Sequence, residues 1–109
     1  MSTIAELEQQ IEELQELVAR RDLALKLEKN RDFKKLILEE FCVNECARYA
    51  QNSANPSLRP EERADSLALS QAAGHLRRWL SVIVRMGNQA EHEIKANREA
   101  IDEMRAEEI

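Results

Sequence analysis

Glycine, proline and aromatic residues are scarce in this sequence. Its 109 residues include two glycines, two prolines, two phenylalanines, one tyrosine and one tryptophan. Glycine and proline interrupt helices, whereas aromatic and β-branched residues favour strands. Because 34% of the residues are also charged, the composition argues against a β-sheet domain and predicts long helices. So few large apolar residues would make a thin core in a single chain, which burial between chains would offset.

Several other features of known functional classes are missing. There is no apolar run of about 18 residues that could cross a membrane. The first residues, Met1 to Glu6, are polar and acidic, so we expect no secretory signal there. The net charge of −5 lacks the positive field that attracts nucleic acids. We therefore expect a cytoplasmic protein with reduced thiols, for which nucleic acid is not the favoured partner.

The residues that could carry chemistry do not form a known motif. Cys42, Cys46, His75 and His92 could supply four zinc ligands, but their spacing is not that of a zinc finger or ribbon. Buried thiols explain the cysteines without a metal. The paired glutamates, such as Glu39 with its neighbour, point to different sides of apparent helices. We expect no metal, no cofactor and no enzymatic activity.

The first helical segment, residues 1–29, has the heptad pattern of a coiled coil. Thr3 and Glu6 fit a capping box at its start. The first heptads are apolar at both seam positions, and the pattern weakens at Arg21. The predicted interface residues are Ile4, Leu7, Ile11, Leu14 and Val18. Because β-branched residues at a with leucine at d favour a parallel pair, we expect association with a second copy or a partner. The alternative is an antiparallel hairpin within the chain.

The remaining residues, 30–109, predict a helical hairpin. Asn30 or Asp32 can cap a helix over about 31–51. Its apolar residues form three stripes that wrap most of the helix, which is typical of a central core helix. The stripes are Phe33, Ile37 and Phe41; Leu36, Val43 and Ala47; and Leu38, Cys42, Cys46 and Tyr49. A loop follows, and Pro60 then begins the next helix.

The C-terminal helix, about 60–106, carries the longest periodic pattern. Leucine and isoleucine recur from Leu69 to Ile101 at heptad spacing. Gly87 followed by Asn88 could end one helix and cap the next, or the helix could continue through them. The fold class is therefore all-α, with an N-terminal coiled-coil helix followed by a hairpin with a long C-terminal helix.

Trp79 has two interpretations. Packing in the core is the favoured one, and an exposed anchor for a partner is the alternative. In the second case Arg77, Arg78 and Trp79 would form the interface, since Trp and Arg are enriched at binding hot spots. The basic run from Lys26 to Lys35 is interrupted by acidic residues and is typical of a solvated helix face.

Two stretches resemble small proteins of tailed bacteriophages. They are RDFKKLILEEF at 31–41, and RADSL at 63–67 with QAAGHLRRWL at 71–80. The resemblance covers about residues 30–95 and is to short helical proteins with an N-terminal coiled coil. It implies a capsid, portal or tail accessory role: a virion structural or assembly protein, a homo-oligomer or a partner of other virion proteins, made in the host cytoplasm. The alternatives are a small module that inhibits or adapts a host protein, and a nucleic-acid-binding packaging factor.

Overall fold

The computed structural model describes residues 2–108, and this part of the chain contains helices and no strand. The elements are α1 (Ile4–Lys29), a short α2 (Arg31–Phe33), a π-helix that we label π1 (Lys34–Glu45), α3 (Cys46–Ser53) and α4 (Pro60–Glu107). Helices α2, π1 and α3 follow one another without a loop. The predicted all-α class, with a long C-terminal helix, is confirmed.

Side chains cap the first two helix starts. The Glu6 amide donates to the Thr3 hydroxyl at 3.1 Å, and the Thr3 amide donates to the Glu6 carboxylate at 3.3 Å. Asn30 has an extended backbone and accepts from the Phe33 amide at 2.9 Å. These bonds satisfy amides that have no partner inside a helix. The predicted capping box is present, and of the two candidates for the second cap the structure has Asn30.

Helix α4 does not break at Gly87 and Asn88. It runs as one α-helix of 48 residues, and no glycine among residues 2–108 has a positive φ. The predicted alternative in which Gly87 ends a helix is therefore wrong. Gly87 instead has a role in helix packing, which is described below with Arg21.

The central helix is wider than the α-helix expected from its sequence. The amide of Cys46 donates to the carbonyl of Phe41, five residues earlier, which is the π-helical pattern. The sequence predicts a helix apolar on nearly all sides, but only two of its three stripes face inward. Cys42 is buried, whereas Leu36 is 60% exposed and Val43 is also exposed. The interpretation of this helix as enclosed on most sides is wrong, because the side of π1 that carries Leu36 and Val43 is exposed among residues 2–108.

The chain divides into two compact units. Unit 1 joins the residues up to Leu25 with those from Val82 onward, and unit 2 is Lys26–Ser81. The boundaries lie within α1 and within α4, whereas the sequence places its boundary between residues 29 and 30. Each unit has its own core.

Unit 1 is an antiparallel pair formed by most of α1 and the second part of α4. Gln10 accepts from Asn97 at 3.2 Å, and Glu8 accepts from Arg105 at 2.9 Å. Its buried cluster is Leu7, Ile11, Ile94 and Ile101, with Ile4, Leu14, Val18, Ala100 and Met104 packed against it. Unit 1 is thus held by the aliphatic seam that the heptad pattern predicts.

Unit 2 has a smaller core, in which π1 and α3 lie against the first part of α4. The Cys42 thiol lies 3.9 Å from the Ala73 carbonyl, and the Cys46 thiol lies 3.4 Å from the Ser70 carbonyl. Cys42, Ala73 and Leu80 are buried. The small residues Cys42 and Ala73 therefore allow the helices of unit 2 to approach closely, and several leucines of the unit remain exposed.

Candidate functional site: association surfaces

The predicted N-terminal interface lies in the core of unit 1. Leu7 and Ile11 are buried, and Ile4, Leu14 and Val18 pack against the same cluster. The second helix of this seam is α4 of the same chain, so unit 1 contains the antiparallel hairpin that the sequence left as the alternative. These residues would reach a second chain only if α1 separated from α4. A role for them in oligomerisation stays a prediction.

Arg21 and Gly87 explain the weak point in the heptad pattern. A Cβ atom at Gly87 would overlap the Cβ of Arg21 and lie 2.8 Å from its Cγ. The missing side chain of Gly87 therefore accommodates the stem of Arg21, whose side chain is 11% exposed. Its guanidinium donates to Asn88 at 3.1 Å and to Glu91 at 2.8 Å. Sequence reasoning noted both residues separately, but only the antiparallel register brings them together.

The Arg21–Glu91 pair also sets the charge state of the glutamate. The hydrogen bond from Arg21 lowers the pKa of Glu91, and the charges of Arg21 and His92 act in the same direction. The hydrogen bonds that Arg21 donates to Glu91 and Asp22 raise the pKa of Arg21. Arg21 thus links α1 to α4 within unit 1 by an ion pair with Glu91, and a hydrogen bond is the largest cause of both pKa shifts.

Trp79 lies on an exposed apolar surface of unit 2. It is 56% exposed, and Leu69 is 42% exposed. The favoured prediction, that Trp79 packs in the core, is wrong. Leu69, Ala72, Leu76 and Trp79 follow one another at intervals of three, four and three residues, which places them along one side of an α-helix. Leu76 is half-buried and the other three are exposed. We call these four residues the Trp79 stripe.

Arg77 and Arg78 lie in a different place from Trp79. Together with Leu38 and Leu80 they line a groove of ≈ 530 Å³ in unit 2, and Glu28 and Ser81 complete its lining. Successive residues of an α-helix are about 100° apart, and Trp79 does not line this groove. Two of the predicted anchor residues therefore line a charged groove, and the third lies on the Trp79 stripe. A common interface of the three stays a prediction.

A second groove of unit 2 is strongly basic. Lys29, Arg31, Lys34 and Lys35, together with Glu39, line a groove of ≈ 340 Å³, which we call the basic groove. Among residues 2–108, none of its four cations forms an ion pair. In the sequence, these basic residues are typical of a helix face interrupted by acidic residues. The turn at Asn30 joins the end of α1 to the start of the next helix, and this bend makes the basic surface concave.

The cysteines have the surroundings of structural residues. Burial raises the pKa of the Cys42 thiol, an effect that the charge of Arg77 opposes in part. A buried thiol with a raised pKa is a poor nucleophile. Within residues 2–108, no three His, Cys, Asp or Glu side chains are grouped as a metal site. No helix in that range is long and apolar enough to cross a membrane.

No protein-family model, curated protein or solved structure matches the chain. The function proposed below is therefore inferred from the surfaces of the two units.

Proposed function

We propose that this chain is a non-enzymatic structural or assembly protein of a phage particle, an accessory, scaffold-like or connector-associated subunit that works by helix association. The observation that carries the proposal is the Trp79 stripe. Trp79 and Leu69 remain exposed on α4 although the helix has a buried side against the core of its unit. The phage setting comes from the resemblance of residues 31–41 and 63–80 to small virion-morphogenesis proteins.

The Trp79 stripe has the chemistry of a helix-docking surface. Its three- and four-residue spacing is that of a coiled-coil seam, which fits a partner helix with the same pattern. Burying a large apolar side chain such as Leu69 contributes roughly 1.5–3 kcal/mol. Tryptophan is among the residues that most often dominate binding energy. Ala72, between them, leaves space for the partner helix to approach.

Unit 1 supports this function by supplying stability. Its aliphatic seam is satisfied within the chain, so it need not be shared with a partner. Association through Ile4, Leu7, Ile11, Leu14 and Val18 would require the loss of these contacts. We therefore assign the partner surface to unit 2 in preference to the N-terminal seam.

The test is incorporation into particles. The chain should be found by mass spectrometry in purified particles or in their assembly intermediates, and Trp79→Ala should reduce its incorporation. Leu67→Ala is the matched control, since Leu67 is also exposed on α4 but lies two residues before Leu69, about 200° around the helix. A chain that is absent from both particles and intermediates would contradict the proposal, as would equal incorporation of the two variants.

The exposed tryptophan also favours a second candidate, a small module that inhibits or adapts a host protein. In that case a stoichiometric host protein should be recovered with the wild type and with Leu67→Ala, but not with Trp79→Ala, and the chain should be missing from particles. A nucleic-acid-binding packaging factor is the third candidate. It requires an affinity for DNA or RNA that falls steeply with salt.

A further inference from the structure

We propose that the basic groove of one copy binds the outer face of α1 from a second copy, so that copies of the protein associate through charge. This contact involves surfaces other than the Trp79 stripe. It rests on the proposed function only in that the protein is taken to act by associating with other chains. The two surfaces lie in different units, the groove in unit 2 and the face in unit 1. Each copy therefore carries both halves of the contact.

The outer face of α1 is acidic and has an exposed leucine. Glu12 and Glu16 are four residues apart, and Leu23 is eleven residues after Glu12, so all three lie on one side of the helix. All three are exposed, with Leu23 67% exposed. Neither glutamate forms an ion pair among residues 2–108. We call Glu12, Glu16 and Leu23 the acidic face.

The basic groove offers the complementary groups. Its lysine and arginine side chains are exposed and unpaired within residues 2–108. Leu36, next to Lys35 in the chain, is 60% exposed. An acidic helix therefore matches the charge of the groove, and π1, which carries Lys34 and Lys35, also offers an exposed leucine. Such contacts between exposed charges are individually weak, so several must act together.

The opposite net charges of the two units also favour a contact between copies. Unit 1 has six Lys and Arg against thirteen Asp and Glu, a net charge of −7, and unit 2 has ten against eight, a net charge of +2. Opposite charges on two surfaces of one molecule steer copies toward each other. A nucleic acid is disfavoured as the occupant, because the charge of unit 1 repels it, Glu39 lines the groove and no aromatic side chain there could stack on a base.

Two copies can make this contact reciprocally about a two-fold axis and so form a closed dimer. Otherwise copies add one after another until they close a ring or continue as a filament. The expected association is therefore dependent on concentration and on salt. It should weaken steeply toward about 1 M salt, where the Debye length falls to about 3 Å. Docking at the apolar Trp79 stripe should not weaken in this way.

Charge reversal tests the contact. The groove variant is Lys34→Glu with Lys35→Glu, and the face variant is Glu12→Lys with Glu16→Lys. Sedimentation velocity at low salt should show association in the wild type that is weaker by about tenfold or more in each variant, since like charges then face each other. All four substitutions in one chain exchange the signs and should restore association. Circular dichroism confirms that each variant remains helical.

A second variant separates this effect from net charge. Lys95→Glu with Arg98→Glu changes the charge as much as the groove variant does, but on exposed residues of unit 1 outside both surfaces, so it should associate like the wild type. A wild type that stays monomeric at low salt overturns the proposal. Association of the same strength in the wild type and in the charge-reversal variants also overturns it. Binding of a DNA or RNA oligonucleotide that is lost in the groove variant, without self-association, would overturn it in favour of a nucleic-acid site. Trp79→Ala should leave the association unchanged, so the proposed function and this inference fail separately.

Discussion

The cores of the two units differ in how many long aliphatic side chains they bury. Unit 1 buries five of them, together with two alanines: Leu7, Ile11, Ile83, Ile94 and Ile101, with Ala24 and Ala90. Unit 2 buries one, Leu80, together with Cys42 and Ala73. Of the eight large apolar side chains that are exposed among residues 2–108, six lie in unit 2, namely Leu27, Leu36, Val43, Leu67, Leu69 and Trp79. The best heptads therefore mark a seam that is buried within unit 1, whereas most of the large apolar side chains left exposed lie in unit 2.

The largest expected effect comes from placing a charge in the seam of unit 1. In Ile11→Asp a carboxylate replaces a buried isoleucine, which removes apolar burial and leaves a charge without a partner. Truncation of a buried isoleucine alone costs about 2–5 kcal/mol, and the charge adds to that cost. Urea unfolding should show the loss, and hydrogen exchange should show lost protection at the amides of unit 1.

The matched control for this variant is Leu36→Asp in unit 2. Leu36 is exposed, and surface substitutions usually change stability by no more than about 0.5 kcal/mol. If the two variants were equally destabilised, the assignment of Ile11 to a packed seam and of Leu36 to an open surface would be wrong.

The two glycines should respond to alanine with opposite signs. At Gly87 the new Cβ overlaps the Arg21 side chain near its backbone, so the helices of unit 1 must move apart at a cost of about 1–3 kcal/mol. At Gly74, in unit 2, nothing lies within 4 Å of the new Cβ, so Gly74→Ala should stabilise by about 0.4–1 kcal/mol through the unfolded state. Thermal and urea unfolding measure both. Destabilisation by both changes would mean that α4 is also closely packed at Gly74.

Sequence periodicity was sufficient for the elements but not for their pairing. The capping box at Thr3, the helix start at Pro60 and the seam residues of α1 all follow local rules that hold in any packing. The partner of the seam does not follow from local rules, because Ile4 to Val18 would pack equally well on another chain or on α4. Gly87 was ambiguous for the same reason, since a glycine that ends a helix and one that admits Arg21 look alike in sequence.

The surfaces of unit 2 were harder to predict. Trp79 has the size and chain position of a core residue, and its exposure depends on which side of α4 the rest of the unit covers. The width of π1 is likewise not encoded in a heptad count, so the apolar stripe that includes Leu36 was assigned to the core. The basic groove was visible as composition, but its concave form depends on the turn at Asn30.

The smallest expected effect concerns the charge of Glu91 in unit 1. Arg21 lowers the pKa of this carboxyl below its usual 4.5, chiefly by a hydrogen bond. A carboxyl whose pKa is lowered on folding stabilises the folded state at pH values above its unfolded pKa, and this contribution is lost as the pH falls through the folded pKa. The urea midpoint of the wild type should therefore exceed that of Glu91→Gln near pH 7, and the two should converge as the pH falls below 4.5. The difference should be small and reduced by salt, since the Glu91 side chain is 65% exposed.

Glu93→Gln controls for the loss of a negative charge from the same helix. If the midpoints of the wild type and Glu91→Gln stay equally far apart from about pH 7 to about pH 3, the ion pair with Arg21 is not what separates them. The close crossing at Gly87 would then depend on packing and on the hydrogen bond from Arg21 to Asn88.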